Sequence, residues 1–177
     1  LLMKQQSAAI ATLEKGIVSA KNNEGLVFQL SALFEQQGQV NQAINVYERL
    51  LSEKPSTQAA NNLALLLAEH KDDQQSLDRA LQLIEPLQTS NNASYLDTLG
   101  WVYHHRGDND KALSALLQAD ELMPQQQLIQ YHLGSVYFSK GKLEQARQHI
   151  EEAVKPQASF RGRAEAQRML ADIASAK

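Results

Sequence analysis

The chain has 177 residues, of which 43% are hydrophobic and 21% are charged, a composition typical of globular proteins. Its net charge of −3 gives no broad basic field for nucleic acid, and the absence of cysteine excludes disulfides and cysteine-ligated zinc. No apolar run approaches the roughly 18 residues that cross a bilayer. The four prolines and eight glycines lie mostly at predicted helix ends, so the sequence predicts an all-α architecture.

The chain begins with an amphipathic helix, predicted over residues 5–22. Ala9 and Leu13 precede Ala43 and Tyr47 by the same interval that separates equivalent positions of later helices. This spacing predicts the second helix of a repeat whose first helix is missing. Because a repeat cannot bury its apolar face alone, we expect a longer parent protein, with any signal peptide or lipid anchor upstream of this sequence.

The first complete helical pair is predicted over residues 24–56. Gly38 ends its first helix, because glycine adopts the left-handed conformation at low cost, and Pro55 closes the pair. Apolar and small residues at helical spacing define the inner faces of the two helices: Val27, Leu30, Ser31 and Phe34 on the first, and Ala43, Tyr47 and Leu50 on the second.

The second pair, over residues 57–92, is longer than the others. The interval from Ala64 to Ala80 exceeds the equivalent interval of the next pair, from Gly100 to Ala112, by about one helical turn. The added residues are polar and fall near positions 70–78. The sequence therefore predicts an extended turn that projects from the surface, since loop length is changed at little thermodynamic cost.

The third and fourth pairs, over residues 93–126 and 127–158, repeat each other at a constant offset. The small residues Gly100 and Gly134 are expected to let the two helices of each pair approach closely, and Asp108 and Asn109 are cap candidates for the second helix of the third pair. The matching positions are Leu99, Gly100, Tyr103, Gly107, Ala112, Leu116 and Ala119, with Leu133, Gly134, Tyr137, Gly141, Ala146, Ile150 and Ala153.

A closing helix is predicted over residues 161–177. Its apolar stripe consists of Ala166, Met169, Leu170 and Ile173, at the spacing of one helical face. Two interpretations stay open: a solvent-facing cap on the array, or the first helix of another repeat.

The repeat period of about 34 residues, with this pattern, resembles the tetratricopeptide repeat family, in which each unit is two antiparallel helices. The resemblance implies a right-handed α-α superhelix of about four and a half helix-turn-helix repeats forming a single domain. It also implies a non-enzymatic scaffold that binds a protein or peptide partner and uses no cofactor. The scaffold hosts many functions, so the resemblance does not name the partner.

Three strings carry a closer resemblance: NNLALLLAEH, SYLDTLGWVYHHRGD and YHLGSVYFSKGKLEQAR. They are similar to the C-terminal repeats of bacterial tetratricopeptide lipoproteins found with exosortase (PEP-CTERM) and exopolysaccharide systems. This resemblance implies a place in the periplasm or cell envelope rather than the cytoplasm. It also implies a role in assembling or exporting surface polymer or protein.

In the repeat family, the first helices of successive units line a concave groove. Trp101, the only tryptophan, would anchor a partner side chain there, and Asn61 and Asp97 would hold the amides of an extended peptide. The alternative is that Trp101 and Tyr131 fill space between neighbouring first helices, as does Phe138. Projected onto this sequence, the groove consists of Phe28, Asn61, Leu65, Asp97, Trp101, His104, Tyr131, Ser135 and Phe138.

Two other classes of function compete with the binding scaffold. A hydrolase-like site would need Asp97, His104 and Ser135 to converge, although no nucleophile is placed beside the histidine by spacing. The five histidines show no i, i+4 pair of the kind that binds zinc on a helix, and they are expected at the surface. The other class is self-assembly into a homo-oligomer through the open N-terminal face, with Ile10, Ile17 and Val18.

Overall fold

A computed structural model of the chain describes residues 2–19, 23–71, 73–155 and 160–175, and of residues 2–7 only the backbone. All regular structure within these residues is helical, as the sequence predicts. A short 3-10 helix, Glu85–Leu87, joins α5 to the segment before α6. The α-helices are α1 Leu2–Ser19, α2 Glu24–Gln36, α3 Val40–Glu53, α4 Thr57–His70, α5 Gln74–Ile84, α6 Ala93–His105, α7 Asn109–Leu122, α8 Gln127–Ser139, α9 Leu143–Ala153 and α10 Arg163–Ser175.

The described helices differ from the predicted ones mainly at their ends. Residues 20–22 of the first predicted helix, residues 156–159 and residues 176–177 lie outside the described part of the chain. Each described helix is either too short or too polar to span a lipid bilayer. The chain forms two compact units, Leu1–Lys71 (unit 1) and Asp72–Lys177 (unit 2).

In unit 1, helices α1 to α4 pack each against the next. The inner positions predicted for α2 and α3 are all buried, including Ser31, whose hydroxyl donates to the carbonyl oxygen of Ala43 at 3.4 Å. On α1 the expectation is partly wrong. Ile17, predicted on an open face, is buried, and Ala9 is exposed although its repeat equivalent, Ala43, is buried.

In unit 2, α6 pairs with α7 and α8 pairs with α9. A methyl group on Gly100 would lie 2.5 Å from Cγ of Leu116, and one on Gly134 would lie 2.5 Å from Cδ1 of Ile150. These distances are far below van der Waals contact, so only glycine fits where the helices cross. Gly107 ends the turn after α6 with φ of +83°, as the sequence predicts.

The predicted extended turn between α4 and α5 is wrong. The connecting segment, residues 71–73, is as short as segment 106–108 between α6 and α7. Counted from the equivalent residues Ala64 and Gly100, α4 ends one residue later than α6. Counted from Ala80 and Ala112, α5 begins three residues earlier than α7. The additional residues therefore lengthen helices. Asp73 makes this possible, because its side chain accepts a hydrogen bond from the backbone of Ser76 at 2.9 Å and caps α5.

The predicted cap of α7 is also wrong in detail. Asp108 occupies the N-cap position, but its side chain makes no capping hydrogen bond. Asn109 uses its Oδ1 to bond Nδ1 of His104 at 2.8 Å. The Asn109 side chain therefore ties α7 to the end of α6 rather than capping α7.

A polar contact recurs near the turns of successive pairs. The first half of the second helices α3, α5 and α7 carries an acceptor, and a cation directly after the next first helix reaches it. The pairs are Asn41 with Lys71 in unit 1, and Asp78 with Arg106 and Asp110 with Lys140 in unit 2. Arg106 and Lys140 hold the pKa of Asp78 and of Asp110 below the ordinary carboxyl value. Because these carboxylates are exposed, the contacts set the register of neighbouring helices more than they stabilise them.

Candidate functional site

The candidates in unit 1 lie on the first helices α2 and α4. Phe28 is half-buried, with its ring centroid 6.1 Å from that of Tyr47, and Leu65 is also half-buried. Asn61 is buried, and its Nδ2 donates to Oδ1 of Asn62 at 3.3 Å. Its Oδ1 is buried without a hydrogen-bond partner in the described part of the chain. Asn61 is thus an acceptor that the fold itself leaves unfilled.

Trp101 is the centre of an aromatic cluster in unit 2. Its side chain is 7% exposed, and its ring stacks on that of His132 at 3.9 Å with an interplanar angle of 16°. The rings of His104, His105 and Tyr131 surround it at 5.1, 4.7 and 5.7 Å. Trp101 therefore packs between the first helices α6 and α8, as the packing alternative expects.

One atom of Trp101 is not accounted for by packing. Its Nε1–H is buried and has no acceptor among the described residues. A buried donor without an acceptor costs on the order of 1–3 kcal/mol, so such a group calls for a physical reason. Packing between α6 and α8 explains the position of the indole ring. It does not explain why the Nε1–H lacks an acceptor among the described residues.

The imidazole of His132 is held by Asp97. Oδ1 of Asp97 lies 2.8 Å from Nδ1 of His132, and the two residues are 5% and 1% exposed. The expectation that Asp97 offers its carboxylate to a peptide is therefore wrong for Oδ1, which His132 already occupies. Together Asp97 and His132 fix the orientation of the Trp101 ring.

The hydrolase-like cluster is not formed. Asp97 pairs with His132, and His104 bonds Asn109 through Nδ1. The hydroxyl of Ser135 donates to the backbone carbonyl of Tyr131 at 2.8 Å, an interaction within α8. Because each of the three side chains has another partner, the convergence that a hydrolase-like site would need is not present. In the described part of the chain, no group of three or more histidine or acidic side chains is close enough to hold a metal ion.

The imidazole of His104 remains partly accessible beside Trp101. Burial lowers its pKa, an effect that the hydrogen bond with Asn109 offsets only in part. His104 is thus a neutral ring at pH 7, and it covers the indole without contributing a charge.

Tyr131 and Phe138, the remaining aromatic candidates on α8, differ in their surroundings. Tyr131 is buried, its ring lies 5.7 Å from that of Phe160, and a methyl group on Gly162 would lie 2.6 Å from its Cε1. It therefore packs against the segment that leads into α10. Phe138 is half-buried. Packing accounts for Tyr131, whereas part of Phe138 is left at the surface.

The expectation of surface histidines is wrong for His132 and for His149. His149 is half-buried, and its Nδ1 lies 2.7 Å from Oε1 of Gln130. Gln130 in turn donates from Nε2 to Oδ1 of Asp120 at 2.6 Å. The rings of His149 and Tyr137 stack at 5.3 Å with an angle of 10°. This network links α7, α8 and α9, and the repeat pattern gives no signal for it.

Two family profiles, each described as tetratricopeptide repeat, match residues 29–92 and 103–173, together more than half of the chain. The chain belongs to the tetratricopeptide repeat family. The predicted family is thereby confirmed, and its fold is of the non-enzymatic, protein-interaction scaffold type. No curated protein sequence matches the chain.

Solved structures support the fold. TTC0263, a thermophilic TPR protein of Thermus thermophilus, is 21% identical with a TM-score of 0.71, covering 99% of this chain and 92% of that one. MamA from Desulfovibrio magneticus RS-1, from residue 41 to the end, is 20% identical with a TM-score of 0.67, covering 92% and 86%. A tetratricopeptide repeat protein from Parabacteroides merdae is 19% identical with a TM-score of 0.76, covering 98% and 66%. The predicted all-α tetratricopeptide superhelix is confirmed.

Proposed function

We propose that the chain is a non-enzymatic scaffold that binds an extended peptide of a protein partner on its first helices. The observation that carries the proposal is the buried Nε1–H of Trp101 on α6, which has no acceptor among the residues that the structure describes. A backbone carbonyl of the partner would accept a hydrogen bond from this N–H. The half-buried His104, whose ring lies 5.1 Å from the indole, is the side chain that we expect to move to admit it.

The surroundings of Trp101 suit a rigid recognition platform. Asp97 fixes His132, and His132 supports the indole from one face. A ring held in one orientation loses little conformational entropy on binding, so more of the interaction energy contributes to affinity. The neutral state of His104 favours an uncharged acceptor such as a peptide carbonyl over a strongly anionic group.

Unit 1, considered by itself, also contains a buried polar group without a partner among the described residues. Oδ1 of Asn61 on α4 is a buried acceptor without a partner in the described residues, and the half-buried Phe28 and Leu65 lie on the same class of helix. An extended peptide presents both N–H donors and carbonyl acceptors along its backbone. Taken separately, the donor at Trp101 in unit 2 and the acceptor at Asn61 in unit 1 are each of a kind that a peptide backbone can satisfy.

The proposed setting is a bacterial envelope, export or exopolysaccharide assembly system. The support is the resemblance of three strings, NNLALLLAEH, SYLDTLGWVYHHRGD and YHLGSVYFSKGKLEQAR, to repeat lipoproteins of that type. Fractionation of the source cell, with detection of the protein in each fraction, tests this setting. Recovery in the periplasmic or membrane fraction supports it, and recovery in the cytoplasmic fraction alone contradicts it.

A site-specific crosslinking experiment tests the binding face. A photoreactive phenylalanine is placed at His104 in the protein expressed in its source cell, and a matched probe is placed at Leu117, an exposed apolar residue on the second helix α7. The proposal expects a discrete crosslinked protein from the His104 probe that is absent from the Leu117 probe. Equal crosslinking at both positions, or crosslinking only at Leu117, contradicts it.

Self-assembly is a second candidate, favoured by one observation. Val18 on α1 is 72% exposed, an unusual position for a β-branched apolar side chain on a helix. Light scattering over a range of protein concentrations, with Val18→Lys as the comparison, separates the two candidates. A mass that rises with concentration and falls back in Val18→Lys supports assembly, and a constant monomer mass excludes it through this face.

A further inference from the structure

A hollow of about 350 Å³ opens in unit 2 between the 3-10 helix, α6 and α7, on a different side of α6 from Trp101. A second hollow of about 260 Å³ continues from it along the segment after the 3-10 helix. Volumes of this size accommodate a side chain or a small ligand. The lining of the first, which we call the Ala115 hollow, includes Glu85, Gln88, Leu96, Tyr103, Lys111 and Ala115.

One repeat later, the chain fills the equivalent space with its own histidine. His149 holds the position in the fourth pair that Ala115 holds in the third, and Tyr137 likewise corresponds to Tyr103. The imidazole of His149 stacks on the Tyr137 ring at 5.3 Å and 10°. At Ala115 a methyl group occupies the place of that imidazole. The Ala115 hollow is therefore the space that an imidazole takes up in the next helical pair.

The hydrogen-bonded link that accompanies His149 is also missing from the Ala115 hollow. In the later pair, Gln130 accepts from His149 and donates to Asp120. The position equivalent to Gln130 is Leu96, an apolar side chain on the floor of the hollow. The position equivalent to Asp120 is Gln88, which lines the wall. The Tyr103 ring is thus retained, and no aromatic ring among the described residues stacks on it.

The charges around the hollow indicate what kind of group enters it. Glu85 lines the wall and accepts a hydrogen bond from the hydroxyl of Tyr103 at 3.3 Å, and Glu121 lines the adjoining hollow. The cation in the lining, Lys111, lies over the Tyr103 ring at 5.4 Å from its centroid. An acidic occupant would face two carboxylates, whereas a ring with an N–H donor would complement them.

We propose that the Ala115 hollow receives a histidine side chain of a protein partner. The imidazole packs on Tyr103 as His149 packs on Tyr137, and its N–H donates to the oxygens of Glu85 or Gln88. This contact lies on a different side of α6 from Trp101 and does not rest on the proposed peptide groove. A negative result for the histidine site therefore does not contradict the proposed peptide groove, and a negative result for the groove does not contradict the histidine site.

The first test uses small probes on the intact protein. The Ala115 methyl group is followed by nuclear magnetic resonance during titration with N-acetyl-histidine methylamide, N-acetyl-phenylalanine methylamide and N-acetyl-aspartate methylamide. The proposal expects a saturable shift with the histidine probe and an affinity at least about five-fold above that of the aspartate probe. No saturable shift, or equal affinities for the histidine and aspartate probes, overturns it. Tighter binding of the phenylalanine probe shows an apolar site and also overturns the histidine assignment.

The second test fills the hollow from within. Ala115→His, alone or with Leu96→Gln, rebuilds the pair seen at His149 and Gln130. Saturable binding of the histidine probe, now followed at Tyr103, is expected to be lost. Ala164→His places the same side chain at an exposed position of α10 and is expected to leave binding unchanged. Undiminished binding in Ala115→His overturns the proposal, and if that variant does not fold, the probe titration on the unmodified protein decides.

Discussion

The carboxylate of Asp97 on α6 and the imidazole of His132 on α8 face each other at 2.8 Å in the interior of unit 2. They join two successive first helices, where apolar contacts would be expected from the repeat pattern. The stacked indole of Trp101 covers the imidazole. A buried polar pair of this kind fixes one register between neighbouring helices, since any slip leaves both groups without a partner.

Removing the carboxylate of Asp97 tests this pair. Asp97→Ala leaves the buried imidazole unpaired, and we expect it to lower the free energy of unfolding of unit 2 by about 3 kcal/mol. Asp97→Asn keeps an acceptor oxygen and should lose less. Urea unfolding followed by the fluorescence of Trp101, the only tryptophan, measures both. Asp108→Ala, which removes an exposed carboxylate without a capping bond, serves as the control, and an equal loss there would contradict the account.

Gly100 tests the close crossing of α6 and α7. A methyl group at this position would meet Cγ of Leu116 at 2.5 Å and the carbonyl oxygen of Ala112 at 3.1 Å. Alanine is the better helix former by about 1 kcal/mol, but overpacking costs about 1–3 kcal/mol, so we expect Gly100→Ala to be destabilising.

The comparison is Gly25→Ala, at an exposed glycine on α2, where an added methyl group would lie 3.2 Å from Oδ1 of Asn23, the side chain that caps the helix. Because this contact is looser than the one at Gly100 and involves a surface side chain, Gly25→Ala should cost less than Gly100→Ala. Thermal unfolding of the two variants gives the comparison. A stabilised Gly100→Ala would show that the helices can separate without loss.

The half-buried His149 makes stability depend on pH. Burial lowers its pKa below the ordinary value of 6.5, although Asp120 opposes the shift. The unfolded chain therefore binds a proton at a pH where the folded chain does not, so stability falls as the pH drops through 6.5. His104, whose pKa burial also lowers, adds to the same trend.

We expect the free energy of unfolding to decrease between about pH 7.5 and pH 5.5, and to decrease less in His149→Gln, which keeps a donor for Gln130. Denaturant unfolding at the two pH values measures the difference. A His149→Gln variant with the full pH dependence would show that His149 is not a source of it.

The sequence predicts the helix-crossing positions well and the polar contacts poorly, for physical reasons. Gly100 and Gly134 recur because both pairs must bring two backbones together at the same point, which fixes residue size at a fixed spacing. Asp97 and His132 are 35 residues apart, one more than the repeat period, so no comparison of equivalent positions brings them together. Their contact depends on how far one first helix is rotated against the next.

The repeat pattern also does not predict where the helices begin and end. The extra residues near position 74 favour a polar turn by composition, since serine and aspartate are common at chain reversals. The side chain of Asp73 caps the helix that these residues form, and Arg106 pairs with Asp78 on its surface. The repeat spacing shows where the added residues are, near positions 70–78. The contacts of Asp73 and Asp78 stabilise these residues as helix.

The Nε1–H of Trp101 has no acceptor among the described residues, so a variant that lacks it can distinguish a role in binding from a role in packing. Trp101→Ala would remove a buried ring at a cost of about 3–5 kcal/mol, so it tests stability rather than recognition. Trp101→Phe keeps an aromatic ring against His132 and removes the N–H. We expect it to preserve the melting temperature, or to raise it, since a buried donor without an acceptor is eliminated.

The most direct test compares the affinity of unmodified protein and Trp101→Phe for the partner captured at His104, with both melting temperatures measured in parallel. The account predicts that affinity falls at least about ten-fold, or about 1.4 kcal/mol, while the melting temperature does not fall. Unchanged affinity, with the same or a lower melting temperature, would show that Trp101 only packs between α6 and α8, and would contradict the proposed binding face.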